Sequence, residues 1–301
     1  MFKSIYLIFL LYGVLLIGFF LNADPNGGAF NDYQNHIRLI TDLKENFFET
    51  LFNFDKYATR HSPILYILIS FFYKLSIPDT FVRFLSIHFC LLLPLIFYKS
   101  ILIKFKDIDK KYALLLSGLI FLSPTFWSLS IWPDSRLFGL IFFSLSILYF
   151  LKFEIEDKDH FNNSIKCILS YTLASYISPN FSIFSIFYFY FFLKKFNLSK
   201  EIIYIILLNI ILSLPAIFYL FSLDTIFLFN TAVPSGNIDN SQIFNFSNKI
   251  LIIFSIIFFY AIPFLLTKSM KLNYRDIKII ILSFIIILIL EYFFDYNFNL
   301  T

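Results

Sequence analysis

Two stretches decide the fold class of this chain: SIYLIFLLYGVLLIGFFL at residues 4–21 and IKIIILSFIIILILEYFF at residues 277–294. Each is nearly uncharged and long enough, as a helix, to cross a hydrocarbon layer about 30 Å thick. A strand of a closed β-barrel would alternate apolar and polar positions, and these runs do not. They therefore predict an all-α protein whose helices span a membrane.

The whole composition supports this prediction. Of the 301 residues, 59% are hydrophobic and only 15% are charged, and the mean hydropathy is +0.77. Soluble domains carry about 25% charged residues. The net charge of +4 indicates lysine-rich loops rather than a nucleic-acid partner. Cys90 and Cys167 lie inside apolar segments, so they predict neither a disulfide framework nor a CxxC metal site.

Lysine clusters predict the topology, because cytoplasmic loops are enriched in Lys and Arg. The clusters lie at Lys3, 99–111, 152–166, 194–200 and 268–278. The apolar stretch 62–77 is too short to cross, so we predict a half-span or interfacial helix on the outer face. Placing all five clusters in the cytoplasm predicts a polytopic bundle of about nine spans, near residues 4–21, 81–98, 112–131, 136–151, 165–179, 180–193, 201–221, 250–267 and 277–294.

The outer loop 22–62 carries an amphipathic pattern. Its apolar residues share one helical face and predict a helix that lies along the membrane surface. No internal repeat or linker is evident, so we predict a single transmembrane domain over 1–301. The chain stops directly after an apolar span, which leaves open whether a longer C-terminal part follows. The apolar face of the predicted surface helix consists of Ile37, Ile40, Leu43, Phe47 and Leu51.

Isolated acids and bases mark the candidate site on the predicted outer face. Ionisable groups at a membrane edge are costly to hold, so function is the first hypothesis for them. Each also has a structural interpretation, as a turn or cap residue, a helical pair with His36, a helix N-terminal residue or a loop ion pair. The candidates are Asp24, Asp32, Arg60, His61, Asp134 and Arg136.

Several motifs together resemble the GT-C membrane glycosyltransferases, in particular the branch with protein O-mannosyltransferases and aminoarabinose transferases. They are NDYQNH (31–36), RHSPILYIL (60–68), the apolar and acidic passage 121–150, and SYISPNFSIF (175–184). His61 and Pro63 match the family's His-x-Pro element, and Asp134 matches its second acidic position. The resemblance covers about residues 1–195. The chain departs from the family pattern at Asn31. Many relatives have an acidic residue at this position, next to the acid that Asp32 matches.

The resemblance implies transfer of a sugar from a polyprenyl-phosphate donor to a glycan, lipid or protein acceptor. The site would face outward from a bacterial inner membrane. Asp32 would act as the general base with Asp24 as a supporting acid. Arg60, His61 and Arg136 would lie near the donor phosphate, and Asp134 would orient Arg136 or bind the donor sugar. The chemistry allows a divalent metal without requiring one, because the scattered acids do not define a ligand spacing.

Two other functions fit parts of the sequence. A lipid-linked polysaccharide polymerase or ligase would use a similar donor, but it predicts an Arg-rich late outer loop, and residues 222–249 contain no Arg. A transporter or flippase predicts ionisable residues near the bilayer centre or broken helices in repeated halves. The predicted spans are nearly uncharged and show no repeat.

Overall fold

Helices make up all the regular structure of the part described by the computed structural model, which comprises residues 2–25, 28–57, 62–156 and 159–222. These residues lie within Met1–Ala232, one unit of the chain. The α-helices are α1 (Phe2–Phe20), α2 (Ala29–Glu45), α3 (Phe47–Phe52), α4 (Ile64–Lys74), α5 (Asp79–Cys90), α6 (Leu92–Lys104), α7 (Lys110–Gly118), α8 (Pro124–Ile131), α9 (Ser135–Ile155), α10 (His160–Ile177), α11 (Ser185–Phe196) and α12 (Lys200–Ser222).

Three helical stretches in the described part are long and apolar enough to cross a membrane: Asp79–Lys104, Ser135–Ile155 and Lys200–Ile217. They coincide with the spans predicted near 81–98, 136–151 and 201–221. A fourth is counted if α7, its 3₁₀ turn and α8 form one span, although this pair bends by 70°. The all-α prediction is thus confirmed for these residues, and the three stretches are compatible with the predicted membrane protein. The count of about nine spans and the single domain over 1–301 stay predictions, since 223–301 lie outside the described residues.

Prolines explain the breaks in two of these stretches. Pro94 lies in the first turn of α6, where it has no N–H to donate to the carbonyl of Cys90, and the chain changes from α5 to α6 at Leu91. Ser123 precedes Pro124 and is therefore held in an extended conformation, with ψ of 118°. Its Oγ accepts a hydrogen bond from the N–H of Phe126 and so caps α8.

The region predicted as two short spans, 165–179 and 180–193, has a different organisation. Helix α10 begins five residues before the predicted start and is not among the candidate spans. Its polar residues Asn163, Ser164 and Ser170 are buried, and it packs along α9. A 3₁₀ helix, Pro179–Phe184, then joins α10 to the 12-residue α11.

Buried side chains form two cores. The first joins α1, α2 and α4 to α5, α6, α8 and α9. The second joins the C-terminal half of α9 to α10, α11 and α12, and it is rich in aromatic rings such as Phe153, Tyr188 and Phe192. Helix α9 belongs to both cores. It thereby ties the N-terminal helices, which carry the candidate site, to the rest of the described chain.

The predicted surface helix is present, but protein covers its apolar face. Helix α2 packs on α4, and Ile40 and Leu43 are fully or almost fully buried in the first core. The predicted helix also breaks at Asn46, before α3. Helix α4 has 11 residues, about 16 Å of rise, which agrees with the length expected of a half-span. The depth at which α2 and α4 meet a membrane stays a prediction.

Candidate functional site

Arg136 joins two carboxylates that lie far apart in the sequence. Its Nη2 donates to Asp32 Oδ2 at 2.8 Å and to Asp134 Oδ2 at 2.7 Å. Its Nε donates to Asp134 Oδ1 at 2.9 Å. We call Asp32, Asp134 and Arg136 the Arg136 cluster. The structure therefore brings three of the predicted site residues into direct contact, and their location on the outer face stays a prediction.

The local sequence explains the position of Asp134. It is the N-cap of α9, and its Oδ1 accepts the backbone N–H of Arg136 at 2.7 Å. A capping carboxylate satisfies a free N–H group and lies favourably at the positive end of the helix dipole. Asp134 is only 7% exposed, and both its oxygens are engaged. Its geometry therefore matches the expected orienting role toward Arg136, and it leaves little room for direct contact with a sugar.

Asp32 is the accessible carboxylate of the cluster. It lies in the first turn of α2, and 45% of its side chain is exposed, as is 49% of Arg136. The helix begins at Ala29, so the NDYQNH motif is helical. Within this motif, the ring of His36 packs against the ring of Tyr66 on α4, and the two ring centroids are 4.5 Å apart.

The charge of the cluster argues against one of the predicted roles. Two carboxylates and one guanidinium give a net charge of about −1 in neutral solution, and Arg136 already directs two of its three nitrogens to carboxylates. An incoming phosphate would meet this excess negative charge. The Arg136 cluster is thus better suited to hydroxyl groups or to a proton than to an anion. The predicted contact between Arg136 and the donor phosphate is not supported by this geometry.

Asp24 has the position of a cap rather than of a second catalytic acid. Its Oδ2 accepts the backbone N–H of Phe30 at 3.1 Å, near the start of α2. Its Oδ1 is buried and has no hydrogen-bond partner in the described structure. The hydrogen bond from Phe30 therefore supports the interpretation of Asp24 as a turn or cap residue.

Arg60 and His61 lie outside the described residues, so their predicted approach to Asp32 stays a prediction. The neighbouring Pro63 directly precedes α4, as the His-x-Pro element predicts for the opening of an apolar segment. Within the described ranges, no group of three or more His, Cys, Asp or Glu side chains could hold a metal ion. The divalent metal that the chemistry allows stays a prediction.

Sequence reasoning missed Arg83, which contacts Trp132, two residues before Asp134. It is 5% exposed and stacks on the face of Trp132, with Cζ 3.5 Å from the ring centroid. The statement that the spans are nearly uncharged was wrong here, because the candidate span Asp79–Lys104 contains both Arg83 and His88. An arginine inside an apolar run was the available signal.

A partly buried hydrogen-bonded triad fixes the start of α5 beside α2. The hydroxyls of Tyr33 and Tyr73 donate to Asp79 Oδ1 at 2.5 and 2.6 Å. Burial, followed by the hydrogen bond to Asp79, raises the pKa of Tyr33 above its ordinary value. Tyr33 therefore stays a proton donor at neutral pH. This triad holds the first turn of α2, and with it Asp32, against the bundle.

No family model matches the chain, and neither does any curated protein or solved structure. The resemblance to GT-C glycosyltransferases therefore stays a prediction carried by the sequence motifs. The description that the structure itself supports is a helical protein with candidate membrane spans and a polar cluster at one end of them.

Proposed function

We propose that the protein is a membrane glycosyltransferase that moves a sugar from a polyprenyl-phosphate donor to an acceptor outside the cell. The observation that carries the proposal is the contact of Asp32 with Arg136, 104 positions apart in the sequence and 2.8 Å apart in space. It presents a half-exposed carboxylate in a fixed position at the end of apolar helices.

The chemistry assigns a proton transfer to Asp32. Its carboxylate takes the proton of the acceptor hydroxyl while that oxygen bonds to the anomeric carbon of the sugar. The bond from that carbon to the phosphate oxygen breaks, and polyprenyl phosphate leaves with the electron pair. Arg136 orients the carboxylate of Asp32, and Asp134 in turn holds Arg136. Asp24 contributes by accepting the N–H of Phe30 in the first turn of α2, two residues before Asp32.

The length of α9 supports a site at one membrane surface. Arg136 lies at its first turn and Lys152 in its last turn. The 21 residues rise about 31 Å, close to the thickness of the hydrocarbon layer. The lysine-rich end would therefore be cytoplasmic and the Arg136 cluster external. A lipid-linked donor can reach such a site with its tail still in the bilayer.

The test is a transfer assay in proteoliposomes. A panel of polyprenyl-phosphate donors, each labelled in the sugar, is combined with cell-envelope extract as the acceptor source, and both transferred label and released polyprenyl phosphate are measured. We expect at least one donor to react with wild-type protein. Asp32→Asn should abolish that reaction, while Glu45→Gln, which changes an exposed acid on the same helix, should not. The same rate in both variants would refute the role of Asp32.

A flippase for the same kind of lipid is the second candidate. One observation favours it, since Arg83 and His88 lie within a candidate span. It predicts movement of a labelled lipid-linked sugar between leaflets without any acceptor. Translocation in proteoliposomes, with no transfer from any donor, would establish this alternative over the glycosyltransferase.

A further inference from the structure

Arg83 is a buried cation whose hydrogen bonds are incomplete. Its Nε donates to the carbonyl of Ile131 at 3.1 Å, but its Nη2 is buried and has no hydrogen-bond partner among the described residues. Leaving a charged donor unsatisfied in the interior costs more than leaving a neutral one. Arg83 is therefore a buried cation with one N–H group that has no acceptor among the described residues.

Trp132 shows the same deficiency. It is 4% exposed, and its Nε1 is also buried without an acceptor in the part of the chain that the structure describes. The guanidinium of Arg83 lies on the face of this indole. The two unsatisfied donors thus belong to side chains in direct contact, and one acceptor group bound between them would satisfy both.

No ion pair in the described ranges of the chain includes Arg83. Asp79 lies one turn earlier on α5, but its Oδ1 already accepts two tyrosine hydroxyls. A buried arginine without a paired carboxylate is costly and is a functional hypothesis by default.

We propose that Arg83 and Trp132 form a binding site for a phosphoryl group. A phosphoryl group supplies several acceptor oxygens and a negative charge, and arginine binds it through parallel N–H groups. One such group can accept from Arg83 Nη2 and Trp132 Nε1 and neutralise the guanidinium. A single water molecule could accept hydrogen bonds from both donors but would leave the buried charge uncompensated.

The position of the site connects it to the Arg136 cluster. Trp132 is two residues before Asp134, and its ring contacts Phe30 at 4.7 Å and Tyr33 at 5.9 Å between centroids. These two residues flank Asp32 on α2. Trp132 therefore contacts residues on both sides of Asp32 in α2.

The depth of the site suits a lipid phosphate. Arg83 lies one helical turn after the start of α5, which is about 6 Å into the candidate span. A phosphate at this depth can remain attached to a chain in the hydrocarbon layer. The occupant is then the leaving group of the lipid donor, an assignment that rests on the proposed function. It gives the phosphate role to Arg83 in place of Arg136.

The test measures binding rather than transfer. Full-length protein in detergent is titrated with a long-chain polyprenyl phosphate, with the corresponding polyprenol, with inorganic phosphate and with a diacyl phosphatidylglycerol. We expect polyprenyl phosphate to bind about ten- to a hundredfold more tightly than polyprenol, the range of one charge-assisted hydrogen bond or two. Equal affinity for polyprenyl phosphate and polyprenol would overturn the proposal. A buried water would then be the acceptor for Arg83 Nη2 and Trp132 Nε1.

Variants identify the residues that carry the difference. Arg83→Met should remove the preference for the phosphate while binding of polyprenol stays the same, and Arg38→Met is the matched control with an exposed arginine. Trp132→Phe keeps a ring beneath Arg83 but removes the Nε1 donor, so it should weaken phosphate binding severalfold. It also keeps the proposal testable if Arg83→Met fails to fold. An unchanged preference in both variants would overturn the site.

The remaining arms separate the sources of the phosphate and the two proposals. Competition by phosphatidylglycerol at equal concentration would support the phosphoryl site and overturn the polyprenyl carrier as its occupant. Competition by inorganic phosphate at similar affinity would also support the phosphoryl site, but it would identify a free anion as the occupant and overturn the polyprenyl carrier. Arg83-dependent binding of polyprenyl phosphate, without sugar transfer from any donor, would support the site and refute the proposed glycosyltransferase.

Discussion

The substitution Asp32→Asn separates catalysis from stability at the Arg136 cluster. Asparagine keeps the size of the side chain and an oxygen that can accept from Arg136 Nη2, but it loses the charge and the ability to take a proton. The two side chains of this pair are 45% and 49% exposed. Ion pairs with this exposure contribute about 0.2 to 1 kcal/mol, so we expect the free energy of unfolding to fall by less than about 1 kcal/mol.

The effect on transfer should be far larger. Loss of a positioned general base lowers the rate by about 10² to 10⁴, which corresponds to roughly 3 to 5 kcal/mol in the activation barrier. Binding of the lipid donor should not change, because the proposed phosphoryl site lies at Arg83 and Trp132. The prediction is thus a large loss of rate with nearly unchanged stability and donor affinity.

Three measurements on the same purified variants check this result: the single-turnover transfer rate, the denaturation midpoint and the affinity for polyprenyl phosphate. Glu45→Gln is the control, since it neutralises an exposed acid of α2 outside the cluster. Near-normal transfer by Asp32→Asn would refute the assignment of the base. A loss of transfer that follows a loss of folded protein would instead show that Asp32 serves the structure of α2.

Asp134→Ala removes a helix cap and a buried ion-pair partner, so denaturation should show a loss of about 1 to 3 kcal/mol in the free energy of unfolding; a smaller loss is expected for Asp134→Asn, which can still cap. Gly139→Ala places a Cβ 2.7 Å from a neighbouring side chain, so it should lower the free energy of unfolding by about 1 to 3 kcal/mol in a thermal unfolding experiment. Gly13→Ala is the control, because its Cβ meets open space and the free energy of unfolding should not fall. Cysteine at Lys106 should react with an impermeant maleimide only from the cytoplasm and cysteine at Glu45 only from outside, since both native cysteines are buried; the reverse pattern would contradict the topology.

Patterns within one segment were readable from the sequence. The apolar runs near 81–98, 136–151 and 201–221 predicted spans because a helix in lipid must satisfy its own backbone and reach across a fixed thickness. The Asp134 and Arg136 pair was also readable, since a cap and its helix are neighbours in the chain. The short α4 followed in the same way from the length of its apolar stretch.

Contacts between segments were predicted only in outline. The topology placed Asp32 and Arg136 on one face, because both follow the same alternation of lysine clusters. Their hydrogen bond depends on how α2 packs beside α8 and α9, which the alternation does not specify. Asp24 could be read as an acid or as a cap, and the fold decided for the cap by bringing its Oδ2 to the N–H of Phe30.

The sequence by itself determined the all-helical class and the candidate membrane spans with their polar ends, because chain length, hydropathy and capping act locally. Only the tertiary structure showed that the apolar face of α2 is covered by protein and that Arg83 lies buried on Trp132. Arg83 and Trp132 are 49 positions apart, and the arginine resembles a tolerated charge near a helix end when its sequence is read alone. Its burial and its unsatisfied N–H group arise from the packing of α5 against α8, a long-range arrangement that no local pattern encodes.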